Sequence, residues 1–401
     1  MTRRVTYLLL ALCLCLPTLL SAADWPQWRG PNMDGISPEK GINKDWTAKI
    51  PAMLWQMPMS DNGFAGPSVA DGKVFIIDHV GAKDIVRALN LQTGKEIWNF
   101  PYDDAAGDNY GFTRSTPVYE QGKLYILCWL GTVYCLNAKT GEQLWTRDLI
   151  HDFNGRLPTW NLAMSPLIDG EKVIFCPGGD KAAVVALNKN TGVTIWQGGG
   201  SDKAGYATPV VATILGVKQY VVFDGTALIG VKADDGTLLW RYPWQTSYDI
   251  NAATPIVGGS FIFITSGYGV GCAMLEITKD GPVKRWQTKA MQSHFNTPVY
   301  YKGYFYGITD PGNLICLDPK TGEAVWKHPG FEKGGVVAEE DVLLALGGKT
   351  GELVMVKLTP DNYQELGRCT PLGGQSWTSP IIANGKIILR NRKMLACLNL
   401  Q

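Results

Sequence analysis

The sequence predicts an all-β fold: an eight-bladed β-propeller of four-stranded antiparallel blades, its ring closed by an N-terminal strand. Three observations carry that expectation. A phrase ending in tryptophan recurs down the chain, a proline opens each copy, and no stretch sustains the 3.6-residue period of a helix. The 46 glycines, 14 tryptophans and 10% aromatic content of the 401 residues fit many short strands joined by tight turns.

The first element is a leader. Arg3 and Arg4 give a basic start, Tyr7 to Leu20 is apolar apart from Pro17 and Thr18, and Ser21-Ala22-Ala23 supplies small residues before Asp24. Residues 1–23 therefore read as a cleaved signal peptide, too short and too interrupted for a membrane span. Leu12 and Leu14 precede Cys13 and Cys15, where a bacterial lipid-attachment site needs a small residue. The expected product is a periplasmic or extracellular monomer with one domain, residues 24–401, and no transmembrane segment.

The repeat comes next. Ala88-Leu89-Asn90 runs through Thr93-Gly94 to Trp98, Cys135-Leu136-Asn137 through Thr140-Gly141 to Trp145, and Ala186-Leu187-Asn188 through Thr191-Gly192 to Trp196. Asp235-Gly236 leads to Trp240, Asp280-Gly281 to Trp286, and Cys316-Leu317-Asp318 through Thr321-Gly322 to Trp326. Pro67, Pro117, Pro166, Pro209, Pro255, Pro298 and Pro380 each open a strand-like run. A weaker eighth copy starts near Gly335-Val336-Val337 and carries Leu366 where the tryptophan is expected.

Within residues 115–147, Pro-Val-Tyr, Leu-Tyr-Ile-Leu, Val-Tyr-Cys-Leu and Gln-Leu-Trp make four strands, with turns at Gln121-Gly122, Gly131 and Thr140-Gly141. Four strands repeated at roughly 40–50-residue spacing mark a propeller blade, which must stack on neighbours to bury both faces. The last unit, Pro380 to Leu400, stops one strand short. Ala52-Met53-Leu54-Trp55-Gln56 resembles the missing outer strand and would close the ring.

Composition narrows function. Without Arg3 and Arg4, the 37 Lys and Arg become 35 against 36 Asp and Glu, a formal charge of −1. That balance gives no basic surface for nucleic acid. Seven cysteines remain at irregular spacing, which is not a disulfide framework. Cys135, Cys316 and Cys397 each precede a leucine and read as small buried hydrophobes. Cys128 and Cys135 flank the turn at Gly131, so a disulfide there is a question of geometry. No zincin, nucleophile-elbow or haem-attachment motif is present, and Gly348-Lys349-Thr350 lacks the earlier glycine of a phosphate loop. No catalytic residue and no metal-ligand set is assigned.

The candidate site comes from the lead-in to each innermost strand, because these segments converge on one mouth of the channel. They contribute Phe64, Arg114, Trp160, Asn161, Tyr206, Asp249, Asn251, His294, Phe295, Gln375 and Trp377, an aromatic wall with a few polar groups. The aromatic faces suit a flat or apolar ligand and Arg114 suits an anion. The alternative is that these residues only fill the funnel and satisfy strand ends.

The blade phrase resembles the PQQ-like (pyrroloquinoline-quinone-like) repeat over nearly all of residues 24–401. Trp25-Pro26-Gln27-Trp28-Arg29-Gly30-Pro31 looks like the N-terminal signature of exported propellers in that superfamily. The resemblance implies blade-on-blade docking for Trp98, Trp145, Trp196, Trp240, Trp286 and Trp326. Two branches imply different functions. In quinoprotein alcohol dehydrogenases the centre holds PQQ and Ca²⁺. Here Trp160 or Trp377 would serve as floor, Asp249 and Asn251 as oxygen ligands and Asp249 as base, although the adjacent cysteines common in that branch are absent. The barrel-assembly lipoprotein of the outer membrane is instead a scaffold of similar size. The sequence favours a ligand-binding or protein-interaction scaffold in the cell envelope, whose partner is a protein, a small molecule or a glycan, over a PQQ-dependent alcohol or sugar dehydrogenase.

Overall fold

The computed structural model describes residues 23–60, 62–104 and 110–401. The leader expected at 1–23 lies, up to residue 22, outside the described residues. Eight sheets form the ring, each with four antiparallel strands in order from the axis outward, and one gains a short fifth strand, Ile36–Ser37, at its inner edge. Blade 1 comprises Ser68–Ala70, Lys73–Val80, Lys83–Asn90 and Glu96–Asp103. Blades 2 to 7 open with the innermost strands Val118–Glu120, Leu167–Asp169, Val210–Ile214, Ile256–Gly258, Val299–Tyr301 and Val336–Glu339. Blade 8 takes Ile381–Ala383, Lys386–Arg390 and Met394–Asn399 from the C-terminus and Ala52–Pro58 from the N-terminus. Every proline singled out in the sequence stands immediately before an innermost strand, where its missing N–H breaks no ladder bond.

Middle strands are buried on both faces and read as apolar runs, whereas outer strands alternate. Lys73–Val80 is buried over six consecutive positions; Glu96–Asp103 alternates exposed and partly buried residues.

The tryptophans join blade to blade through one repeated contact. The indole N–H of Trp98 donates to Ala138 C=O at 3.2 Å, Trp145 to Lys189 at 3.0 Å, Trp196 to Ala233 at 3.2 Å and Trp286 to Pro319 at 2.8 Å. Each acceptor follows the third strand of the next blade. The turn glycine beside it is required twice over: Gly141 has φ +80°, and a Cβ there would lie 2.7 Å from the Trp98 ring. Trp55 repeats the contact from blade 8 to blade 1, donating to Leu91 C=O at 2.9 Å, and buried Arg390 adds bonds to Ala65 and Ile77 C=O. The ring is closed as the sequence predicts.

Two tryptophan expectations need correction. Trp240 is buried beside blade 5, but its N–H turns back to Gln219 Oε1 in its own blade at 2.7 Å. Blade 5 has a tight hairpin at Asp280-Gly281 instead of the docking turn, and a Cβ on Gly281 would touch nothing within 4 Å. In blade 7 the strand pairing skips Leu366 and sets Gly367 opposite Met355, so glycine, not Leu366, holds the tryptophan position. Trp46 from the N-terminal segment fills that place, its Cβ 2.5 Å from where a Gly367 Cβ would stand. The acceptor analogous to Leu91, Leu400 C=O, takes the Asn43 N–H at 2.6 Å.

All seven cysteines of the described chain are free. Cys135 pairs with Tyr125, and Cys128 N–H bonds Thr132 C=O, so Cys128 and Cys135 are out of register and form no disulfide. Cys135, Cys316 and Cys397 sit opposite Trp145, Trp326 and Trp55, where a small side chain leaves room for the indole. Burial pushes the Cys135 and Cys397 thiols up to about 12, which keeps them protonated.

Candidate functional site

The channel has an occupant of its own. Trp25 bridges Val69 in blade 1, and Tyr119 N–H of blade 2 donates to Pro26 C=O. Trp28 Nε1 then reaches Thr254 Oγ1 before blade 5 at 2.8 Å. Arg29 donates to the carbonyls of Thr297 and Pro298 at blade 6 and to Met33 and Asp34 in its own turn. Ile36–Ser37 returns parallel to the innermost strand of blade 7, and Glu39 accepts from the Asn384 and Gly385 N–H groups at the blade 8 hairpin. A segment touching blades 1 and 2 on one side and 5 and 6 on the other must cross the axis. It enters from the face carrying the first hairpins, rises to Trp28 and goes back, leaving a blind funnel at the opposite mouth. Residues 110–114 and the segment at 149–163 lie toward that mouth; the N-terminal segment crosses the channel.

The hydroxyls that precede the prolines hold the funnel walls together. Thr116 N–H donates to Ser165 Oγ at 2.9 Å, Ser165 N–H to Thr208 Oγ1 at 2.9 Å, and Thr254 N–H to Thr297 Oγ1 at 2.8 Å. These bonds link consecutive blades and engage the hydroxyls structurally.

Above them the funnel encloses about 220 Å³. Phe64, Arg114, Trp160, Tyr206, His294, Phe295 and Trp377 line it, so the structure brings these sequence candidates together. It does not bring the other four. Asn251 is fully buried; its amide donates to Asp224 and Trp244 C=O, and its oxygen accepts from Thr246 and Ser266 hydroxyls. Asp249 pairs with Lys203 at 3.2 Å. Asn161 makes a left-handed turn to Pro158 C=O, and Gln375 lines an adjoining recess with Asp310, Glu332 and Lys349, divided from the funnel by Lys333 and Trp377.

Several lining residues were not among the candidates expected at the funnel. Trp28 comes from the crossing segment, Tyr268 from the hairpin between the second and third strands of blade 5, and Lys333 from the lead-in to blade 7, which lacks a proline. Asn296 organises that side: its amide donates to Lys333 and Trp377 C=O at 3.0 Å each, and its oxygen accepts from Ser379 Oγ. Asparagine next to a lead-in Thr-Pro was the one available clue.

The rings form a closed circuit around the mouth. Centroid distances run Trp377–Tyr110 6.5 Å, Tyr110–Trp160 5.0 Å and Trp160–Tyr248 6.4 Å. They continue Tyr248–Tyr268 6.0 Å, Tyr268–His294 4.8 Å, His294–Phe295 4.9 Å and Phe295–Trp377 5.2 Å. Phe64 stacks on Trp377 from inside the funnel wall at 4.9 Å. Tyr110, Tyr248 and Tyr268 are 42%, 58% and 45% exposed, so this apolar collar faces solvent. Burial raises the Tyr206 and Tyr268 phenols above their ordinary range, and both stay neutral at physiological pH. The guanidinium of Arg114 lies 5.6 Å over Trp129 and the ammonium of Lys333 5.5 Å over Trp377.

This donor set does not fit a Ca²⁺–quinone centre. Among the described lining residues the charged ones are Arg114 and Lys333, with no carboxylate, while the two expected Ca²⁺ ligands are engaged outside the funnel. The described residues contain no group of three or more His, Cys, Asp or Glu placed to hold a metal.

Comparison with known proteins agrees with the architecture. The outer membrane protein assembly factor BamB of Yersinia pestis is 24% identical over 339 residues, covering 78% of this chain and 80% of that protein. The crystal structure of BamB from Moraxella catarrhalis superposes with a TM-score of 0.63 at 16% identity, over 87% of this chain and 99% of that one. The quinohemoprotein alcohol dehydrogenase of Comamonas testosteroni gives 0.65 at 13% identity, over 94% and 80%. At such identities the structural likeness speaks for the fold alone. A family model matches residues 82–328, more than half of the sequence, and with the PQQ-like repeats of the blades it shows that the chain belongs to the family described as outer membrane protein assembly factor BamB.

Proposed function

We propose that this chain is a protein-interaction scaffold of the bacterial envelope, exported by its leader, that receives partners at the aromatic collar. The observation that carries the reading is the closed circuit of seven rings around a blind funnel on a rigid, sealed ring of blades. A soluble propeller has no folding need for three half-exposed tyrosines at one mouth, and solvent-facing aromatic patches mark interaction sites. Membership of a family named for outer membrane protein assembly supports a partner drawn from that machinery or its clients. The near-neutral charge agrees with protein and not nucleic acid as partner.

Photo-cross-linking amino acids placed in living cells at Tyr248 and Tyr268, and at Leu215 in a hairpin on the opposite face, test the reading. Discrete protein adducts from the two mouth positions and none from Leu215 are expected. Adducts from Leu215 alone would place the working surface on the other face.

A further inference from the structure

Before the N-terminal segment crosses the axis, Ala23 is already held by the fold. Its N–H donates to Glu39 Oε1 at 3.0 Å. Its carbonyl accepts from the Asn384 N–H at 3.2 Å and from the Asn384 side-chain amide at 3.4 Å. A cut after Ala23, where the sequence alone places the end of the leader, would delete all three bonds from the product. Glu39 is 5% exposed, and a carboxylate so buried calls for compensation of its charge. Its described partners are backbone N–H groups: Ala23 and Asn384 at Oε1, and Gly385 at Oε2 at 2.7 Å. A second carboxylate stands at the same hairpin, where Asp24 accepts from the Asn384 amide at 3.1 Å and from the Asp71 N–H at 3.2 Å. Lys386 and Lys73, beside these two hairpins, direct their ammoniums to the carbonyls of Asn384 and Asp71. Among the described groups bonded to Glu39, only the Ala23 nitrogen can become a cation, and it does so if the peptide bond before it is cut.

We propose that leader processing cuts the Ala22–Ala23 bond and that the new α-ammonium of Ala23 pairs with Glu39, fastening the crossing segment to the blade 8 hairpin. A leader peptidase adds water across the bond: the hydroxyl goes to the Ala22 carbonyl carbon and a proton to the Ala23 nitrogen. At neutral pH the new acid ionises and departs with the leader, while the new amine, of ordinary pKa about 7.7–8.0, takes up the proton. Ala22 keeps a small residue immediately before the cut, and Leu20 then stands where Ser21 would, three residues upstream of it. The ion pair gives processing a structural consequence. Glu39 follows Ile36–Ser37, which lies along blade 7, so the pair ties both ends of the crossing segment to one hairpin of the blade that closes the ring. The inference rests on the export step of the proposed function and not on the collar.

N-terminal sequencing of the full chain, exported by a bacterium and purified from its envelope, reads the cut. Ala23 as the first residue is expected. Asp24 or any other first residue overturns the proposal and leaves export standing, whereas an uncut chain removes export and proposal together. Denaturant unfolding then tests the ion pair, comparing the chain that begins at Ala23 with the same chain extended by one N-terminal glycine. The extension keeps the Ala23 N–H and removes its charge, so it should lower the folding equilibrium constant by about tenfold or more. In the Glu39→Gln background the extension should make no difference. Equal stability of the two chains, or a difference that survives Glu39→Gln, overturns the pairing. If Glu39→Gln does not fold, acetylation of the Ala23 amine gives the same comparison: it must match the loss caused by the glycine, and an acetylated chain as stable as the free amine overturns the proposal.

Discussion

The closure contact between blades 8 and 1 can be measured as a coupling energy. Trp55 is 8% exposed, and a Cβ on Gly94 would lie 2.6 Å from its ring. Trp55→Ala removes a buried indole, worth ~3–5 kcal/mol, and leaves Leu91 C=O without its donor, a further ~1 kcal/mol or more. Gly94→Ala alone pays twice: a φ of +68° costs an alanine ~1–2 kcal/mol, and the ring must shift to admit the methyl. With Trp55 already truncated, only the backbone part remains. The double variant should therefore be less destabilised than the sum of the single variants by at least ~1 kcal/mol. Guanidinium unfolding followed by tryptophan fluorescence gives the four midpoints. An additive cycle, or a Trp55→Ala midpoint equal to that of the unaltered protein, would refute closure through this strand. Trp240→Phe is the control: its indole bonds within its own blade, so its partner Gln219 and not an inter-blade turn is affected.

Other expectations follow from single contacts. Trp46→Ala should cost ~3–5 kcal/mol, as much as a blade tryptophan, because it fills the place above Gly367; a loss under ~1 kcal/mol in the same unfolding assay would return it to the status of a loop residue. Burial, with neighbouring Glu340, pushes Glu339 up to about 7, so the native state binds its proton more tightly than the unfolded chain. Its cost is absent below the unfolded value near 4.5, grows as pH rises, and is complete above about 7. Glu339→Gln should accordingly raise stability at pH 8, on the order of 2–3 kcal/mol, and leave it nearly unchanged at pH 4, with denaturant midpoints at the two pH values as the check. Asn296→Ala releases the Lys333 and Trp377 carbonyls and should weaken mouth cross-linking several-fold beyond any effect on melting temperature.

The sequence carried the architecture because each blade repeats a local demand. Proline marks the innermost strand, and glycine marks the turn that an indole approaches. Where the demand was met by a distant residue, local reading failed. Gly367 looks like a lost tryptophan until Trp46 is seen lying on it, and neither the spacing nor the period links the two. The mouth shows the same limit. Phe64, Arg114, Trp160 and Trp377 were legible because they lead into innermost strands. Tyr268 sits in a hairpin on the same face, and Trp28 arrives from a segment 226 residues away from its partner Thr254, so topology alone unites them. Asn251 and Asp249 lay in the correct segment but turn away, since a buried amide must satisfy both its donors and its acceptor.

The most direct test of the account quantifies cross-linking from Tyr268 in cells with the collar intact and with Trp377→Ala and Phe295→Ala together. Removing two adjacent rings breaks the circuit beside Lys333 without touching the inter-blade tryptophans. The account predicts that adduct yield falls by about tenfold or more while the purified variant still unfolds cooperatively. Undiminished yield from a broken collar would contradict it.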